Sequence, residues 1–287
     1  MIELLLRCNP SDAHPRAWPQ TAEEAKSHLL QGQAQIAALL NAPANVGARL
    51  TLPLSAADLG AGDYAGVAPV QTPFAAVLGC SDARVPVEFV FGQGVNALFV
   101  VRVAGNTPAG EGSGSLDYAV ANLADLRLLA VLGHTRCGAV TATVDALLEP
   151  ATYAALSDKP SLHAIVDSVT PPARVAVAAL EAAYGGAAAT LPGYRAGMIE
   201  LAVILNAAMT ARGLRRAFTQ SVGERFDVVY GVYNLQNHMV GLPGVAEIAD
   251  VWAAGLASPP ADDAAVDALA KQMARSRYIE GLLEETA

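Results

Sequence analysis

The chain has 287 residues, a net charge of −9, 53% hydrophobic and 16% charged residues, and three cysteines. The acidic balance argues against nucleic acid as a partner, because phosphate binding needs clustered Lys and Arg and Arg215-Arg216 is the only adjacent basic pair. The low charged share predicts surface buried against other subunits. An odd number of cysteines without a secretion signal points to metal or catalytic thiols, not to a disulfide framework.

Residues Met1 to Arg7 carry an acidic residue and a very short apolar run, which predicts no signal peptide. The charge-free stretch Val228 to Ala246 holds Asn234, Gln236, Asn237, His238 and Pro243, so it does not read as a membrane span. The expectation is a cytoplasmic protein with no membrane partner, folded as a single domain over 1–287.

Residues 1–20, with Pro10, Pro15 and Pro19, read as an arm or loop. Thr21-Ala22-Glu23-Glu24 has capping-box spacing, and Leu29, Ile36, Leu39 and Leu40 recur at helical intervals, which completes an N-terminal arm and helix over 1–41. Residues 42–73 are rich in Pro and Gly and read as loop with one short helix near Ser55.

Three continuous apolar runs then predict buried strands at 74–78, 97–101 and 128–132. Between and after them, helices are expected at 85–90, 115–125 and 138–148. Strand–helix alternation implies parallel strands with helical crossovers. The fold class expected is therefore α/β, a small and mostly parallel sheet flanked by helices.

Residues 149–197 read as an alanine-rich helical insertion with loops at Pro171-Pro172 and Gly185-Gly186. A long helix at 198–212, a strand at 226–233 that pairs with His238-Met239-Val240, and one C-terminal helix at 261–283 complete the reading.

In parallel sheets, ligands collect outside the carboxyl ends of strands. Two such ends deliver Cys80-Ser81-Asp82-Ala83-Arg84 and His134-Thr135-Arg136-Cys137. Two thiolates and one imidazole select zinc over hard cations. Three protein ligands, Cys80, His134 and Cys137, leave a fourth position open, the pattern of a catalytic site. Asp82 is the acid/base or orienting group, and Arg84 keeps it ionised. Alternatively, Asp82 fills the fourth position and switches the site off. A redox dithiol lacks Cys-x-x-Cys spacing, and a structural zinc staple leaves Asp82 and Arg84 without a role. Cys8, His14, His28, His163 and His238 lack ligand spacing.

The stretches 80–86 and 133–139 resemble the two signature motifs of the β-class carbonic anhydrases. That resemblance implies reversible hydration of carbon dioxide to bicarbonate by a zinc-bound hydroxide. It further implies a homodimer or higher homo-oligomer, and a substrate pocket built from Gln71, Phe99, Tyr118 and Gly138, in part from the partner chain. The stretch 99–106 resembles the family's central strand and turn, and 226–233 its late edge strand. Val103 stands where the family commonly has asparagine, and Val77 where a bicarbonate-inhibited subset has tryptophan. Hydrolysis of a carbon dioxide analogue, carbon disulfide or carbonyl sulfide, is the alternative that the same ligands allow.

Overall fold

The computed structural model describes residues 1–10, 17–43, 46–108, 110–223, 225–244 and 252–285. In chain order the elements are β1 (Ile2–Cys8), α1 (Ala22–Leu40), β2 (Ala48–Leu54), α2 (Ala56–Leu59), β3 (Ala75–Gly79), α3 (Val87–Val90), β4 (Leu98–Arg102), α4 (Glu111–Asn122), β5 (Leu128–His134), α5 (Gly138–Leu148), α6 (Pro150–Ala154), α7 (Pro160–Tyr184), α8 (Tyr194–Ala217), β6 (Asp227–Tyr233), β7 (Val240–Pro243), β8 (Trp252–Ala254), α9 (Asp263–Ala274) and α10 (Arg277–Glu284).

Among the described residues the main sheet has the order β4-β3-β5-β6-β7-β8. Its first four strands are parallel and the last two antiparallel. The continuous apolar runs of β3 and β5 arise because both sheet faces are covered. Ala76, Leu78, Leu129 and Val131 face one core, shared with α5, α7, α8 and α9. Ala75, Val77, Leu128, Ala130 and Leu132 face the other, shared with α1 and α3. Each fully buried leucine there contributes about 1.5–3 kcal/mol of hydrophobic stabilisation.

The capping box at Thr21 forms as expected: the Glu24 amide donates to Thr21 Oγ1 at 3.2 Å, and the Thr21 amide donates to Glu24 Oε2 at 3.2 Å. The helix it starts lies against the sheet, and Gln33 Nε2 donates to the His238 carbonyl at 2.8 Å. Ser55 caps the short helix α2 as read.

Several expectations are corrected. Residues 2–8 are not loop but a strand, β1, paired in parallel with β2 inside the stretch read as loop. Backbone pairing forms it even though Ile2, Leu5 and Leu6 stay largely exposed. Pro171 and Pro172 do not break the chain; they lie inside α7. The carbonyls that they leave without an intrahelical donor belong to Asp167 and Ser168, both exposed and open to water, while Pro172, Ala173 and Ala176 are buried. Helix α7 is thus part of the main core, whereas α6 buries no residue. The C-terminal helix is two helices, α9 and α10, broken where Ser276 caps α10. The strand compared with a central one, β4, lies at the sheet's edge, and β6, compared with an edge strand, is internal. His14 and Pro15 lie outside the described residues.

Among the described residues α8 is the one helix long and apolar enough to cross a membrane, but 78% of that window is buried. It is the central core helix, and Gly133 of β5 brings the sheet close to it, since a Cβ there would meet Ala207 Cβ at 3.3 Å.

Gly32 sets the docking of α1. A Cβ at that position would meet the Phe91 carbonyl oxygen at 2.1 Å. Gly32→Ala is therefore expected to lower stability by about 1–3 kcal/mol, read by urea unfolding. An unchanged midpoint would show that α1 does not pack on the end of α3.

Candidate metal centre

Strands β3 and β5 are neighbours, with Gly79 opposite Leu132. Cys80 follows β3 directly, and His134 ends β5, so both emerge at one carboxyl edge. The chain then turns at Arg136 and enters α5 with Cys137 as its N-cap. The sulfurs of Cys80 and Cys137 are 4.0 Å apart. With the His134 imidazole they form a buried group whose ligand atoms all lie within 4.8 Å of one another. A tetrahedral zinc with Zn–S of about 2.3 Å has a sulfur–sulfur edge of about 3.8 Å, so the observed spacing fits.

His134 supplies a second test of fit. Its Nδ1 faces the Thr135 carbonyl at 3.0 Å, which fixes the tautomer with the proton on Nδ1. Its Nε2 is buried without a hydrogen-bond partner. A lone pair with no donor, turned toward two sulfurs, is what a soft cation satisfies. The hydrogen bond between the two sulfurs, set against burial, lowers Cys80, while that same bond and burial raise Cys137. Helix α5 begins at Cys137, where its first amides favour a thiolate.

Asp82 lies beside the cluster, its Oδ2 3.8 Å from His134 Nε2. Arg84 grips it with a fork: Nε donates to Oδ1 at 3.0 Å and a terminal nitrogen to Oδ2 at 2.7 Å, and the Arg84 amide adds a bond to Oδ1 at 2.9 Å. These bonds hold the Asp82 carboxyl well below its usual range, at about 2. Arg84 also reaches the Arg136 carbonyl at 3.3 Å. Its outer side lines a cavity of about 430 Å³ with Leu40, Phe89, Tyr233 and His238.

The other expected pocket residues are elsewhere in this chain. Gln71 is exposed and precedes β3, so it stands at the amino end of the strand that carries Cys80 at its carboxyl end. Phe99 pairs with Ala76 in mid-strand on edge strand β4. It meets Tyr118, 51% exposed, at 6.3 Å between ring centres. Gly138 is the exception: it opens α5 immediately after Cys137, with open space where a Cβ would be. Among the described residues Cys8, His28, His163 and His238 join no ligand cluster.

Two supports escaped the sequence reading. Arg102 donates to the Cys80 carbonyl at 2.9 Å and to the Asp82 carbonyl at 2.5 Å, so it ties down both flanks of Ser81. Glu200, 5% exposed in α8, accepts the Arg136 amide at 2.8 Å; burial pushes its carboxyl up to about 7. The available signal for Glu200 was an acid between Ile199 and Leu201 on a helix otherwise apolar at that point.

The Asp82–Arg84 fork predicts a pH signature. The folded carboxyl titrates below the unfolded value of about 3.9, so its stabilisation is complete above that value and is lost as pH falls through about 2. The stability difference between the native chain and Asp82→Asn, measured by urea unfolding, should be constant from about pH 5 to about 7 and shrink below about pH 4. A difference that widens on acidification would contradict the fork.

A sequence model of the carbonic anhydrase family matches residues 75–236, more than half of the chain. A carbonic anhydrase of Mycolicibacterium smegmatis is 43% identical over 109 residues, 37% of this chain and 49% of that relative. Carbonic anhydrase 2 of Mycobacterium tuberculosis is 46% identical over 83 residues, 29% of this chain and 40% of that relative. The chain spans about half the length of these curated relatives, or less. Among solved structures, the β-carbonic anhydrase CcaA aligns over 67% of this chain and 84% of its own, with a TM-score of 0.51 and 21% identity, a likeness of fold. The matched stretch contains both strand ends and all five polar residues gathered at them; the chain belongs to the carbonic anhydrase family and has the fold of a β-carbonic anhydrase.

Proposed function

We propose that this protein catalyses the reversible hydration of carbon dioxide to bicarbonate with one zinc ion per chain. The observation that carries the reading is Asp82: a carboxylate held ionised by Arg84 and set 3.8 Å from the unpartnered Nε2 of His134. A zinc staple would have no use for that pair. Cys80, His134 and Cys137 would hold the metal, and its Lewis acidity would lower the pKa of a water to about 7, so that hydroxide is available near neutrality.

The remaining chemistry belongs to the chain. Asp82 Oδ2 accepts a hydrogen bond from the nucleophile and aims its lone pair at the carbon. Arg84 keeps Asp82 from taking a proton permanently and from swinging into the cluster. The cavity that Arg84 and Arg136 line with Leu40, Phe89 and Leu235 offers apolar surface and two guanidinium groups, which suit an uncharged gas and a bicarbonate anion.

The reading includes a second copy of the chain. The outer edge of β4 has no strand partner among the described residues, and an open edge calls for cover. Exposed Val70, Val95 and Tyr118 lie in or near the elements that border that edge. A copy packed there would bring Gln71, Phe99 and Tyr118 toward a neighbouring site, where an amide donor from Gln71 would meet oxygen as negative charge develops.

Variants separate these roles. Cys80→Ser should lose bound zinc and all hydration activity. Asp82→Ala should keep zinc, by metal analysis, and lose activity about 10²-fold or more, by stopped-flow hydration assay. An Asp82→Ala protein with native rates would remove Asp82 from the mechanism. Val70→Arg should yield monomers in sedimentation that keep zinc but have lost most activity. Fully active Val70→Arg monomers would defeat the shared pocket.

A further inference from the structure

Arg136 lies between His134 and Cys137, and its φ is 56°. A left-handed backbone is unfavourable for a non-glycine residue, and such strain persists only where neighbours over-determine it. The turn is what allows a strand-end imidazole and a helix-start thiol to face one point.

The loop is held from several sides. On the His134 side, the Thr135 amide donates to the Tyr233 carbonyl at 3.0 Å, and the Leu235 amide donates to Thr135 Oγ1 at 3.0 Å. At Arg136 the holding bond is to Glu200 Oε1 at 2.8 Å. Tyr278 of α10 lines the same cavity as Glu200. An ionisable group at 5% exposure in a core helix is expensive. An apolar residue of similar size would serve packing alone as well or better. The acid earns its place through the bond to the loop.

We propose that Glu200 is a positioning residue of the metal centre: it clamps the Arg136 amide so that His134 and Cys137 hold their ligand geometry. This rests on the zinc reading above. The role depends on reach and acceptor character, not on charge. Gln keeps both the length and an acceptor oxygen. Asp keeps the charge but falls short by one carbon–carbon bond, about 1.5 Å.

The test uses Co²⁺ as a probe, through its thiolate-to-metal absorption band, with affinities from chelator competition well below the melting temperature. Glu200→Gln should bind within about threefold of the native chain, while Glu200→Asp and Glu200→Ala should bind about 10–100-fold more weakly, with an altered band. Native-like binding by Glu200→Asp, or binding by Glu200→Gln as weak as by Glu200→Asp, would overturn the proposal. Should Glu200→Ala not fold, the Gln and Asp variants decide alone. A native chain that takes up neither Co²⁺ nor Zn²⁺ would overturn the zinc reading itself, whereas a native chain that binds metal no better than Glu200→Asp would remove only the role of Glu200.

Discussion

The pairing of β3 with β5 is the constraint on which the site depends. Two parallel strands, side by side with Gly79 opposite Leu132, bring Cys80 and His134 to the same edge although 53 residues of chain lie between them. Both strands are buried on both faces, so their register is fixed by two cores at once. A slip of one residue would turn every side chain to the other face and carry one cysteine away from the histidine. The site is therefore as stable as the sheet that holds it.

The rest of the architecture works on the loops leaving those strands. Arg102, from β4, ties the Cys80 and Asp82 carbonyls. Glu200, from α8, holds the turn at Arg136. Arg84 links the two loops by binding Asp82 on one and the Arg136 carbonyl on the other. Arg102 and Glu200 come from elements packed on the core that also holds Cys80 and Cys137, so ligand geometry and hydrophobic packing are coupled. Losing such an outer hydrogen bond typically costs about 10–100-fold in metal affinity or activity.

What the sequence made legible follows from this. The three strands, the helix at 138–148 and the ligand cluster were readable because polar residues stood out at the ends of continuous apolar runs. The β1–β2 pair was not, since its stability lies in a long-range backbone ladder between two stretches whose prolines suggest loop. Pro171-Pro172 misled because the usual cost of proline in a helix is here deflected to exposed carbonyls. Gln71 and Tyr118 illustrate a different limit: motif order along the chain does not place a side chain, and within one copy Gln71 lies at the amino end of β3 while Tyr118 lies against Phe99 of β4. Glu200 was missed because its partner is a backbone amide, which leaves no mark in the sequence.

The central claim is a zinc centre that hydrates carbon dioxide with Asp82 beside it. Zinc content and carbon dioxide hydration rate, measured together on the native chain across a pH series, test it most directly. The account predicts one zinc per chain and a rate that rises with pH through a single step near the pKa of an activated water, about 7. A chain fully loaded with zinc yet inactive from acid to alkaline pH, or one that holds no zinc and cannot be loaded, would contradict it.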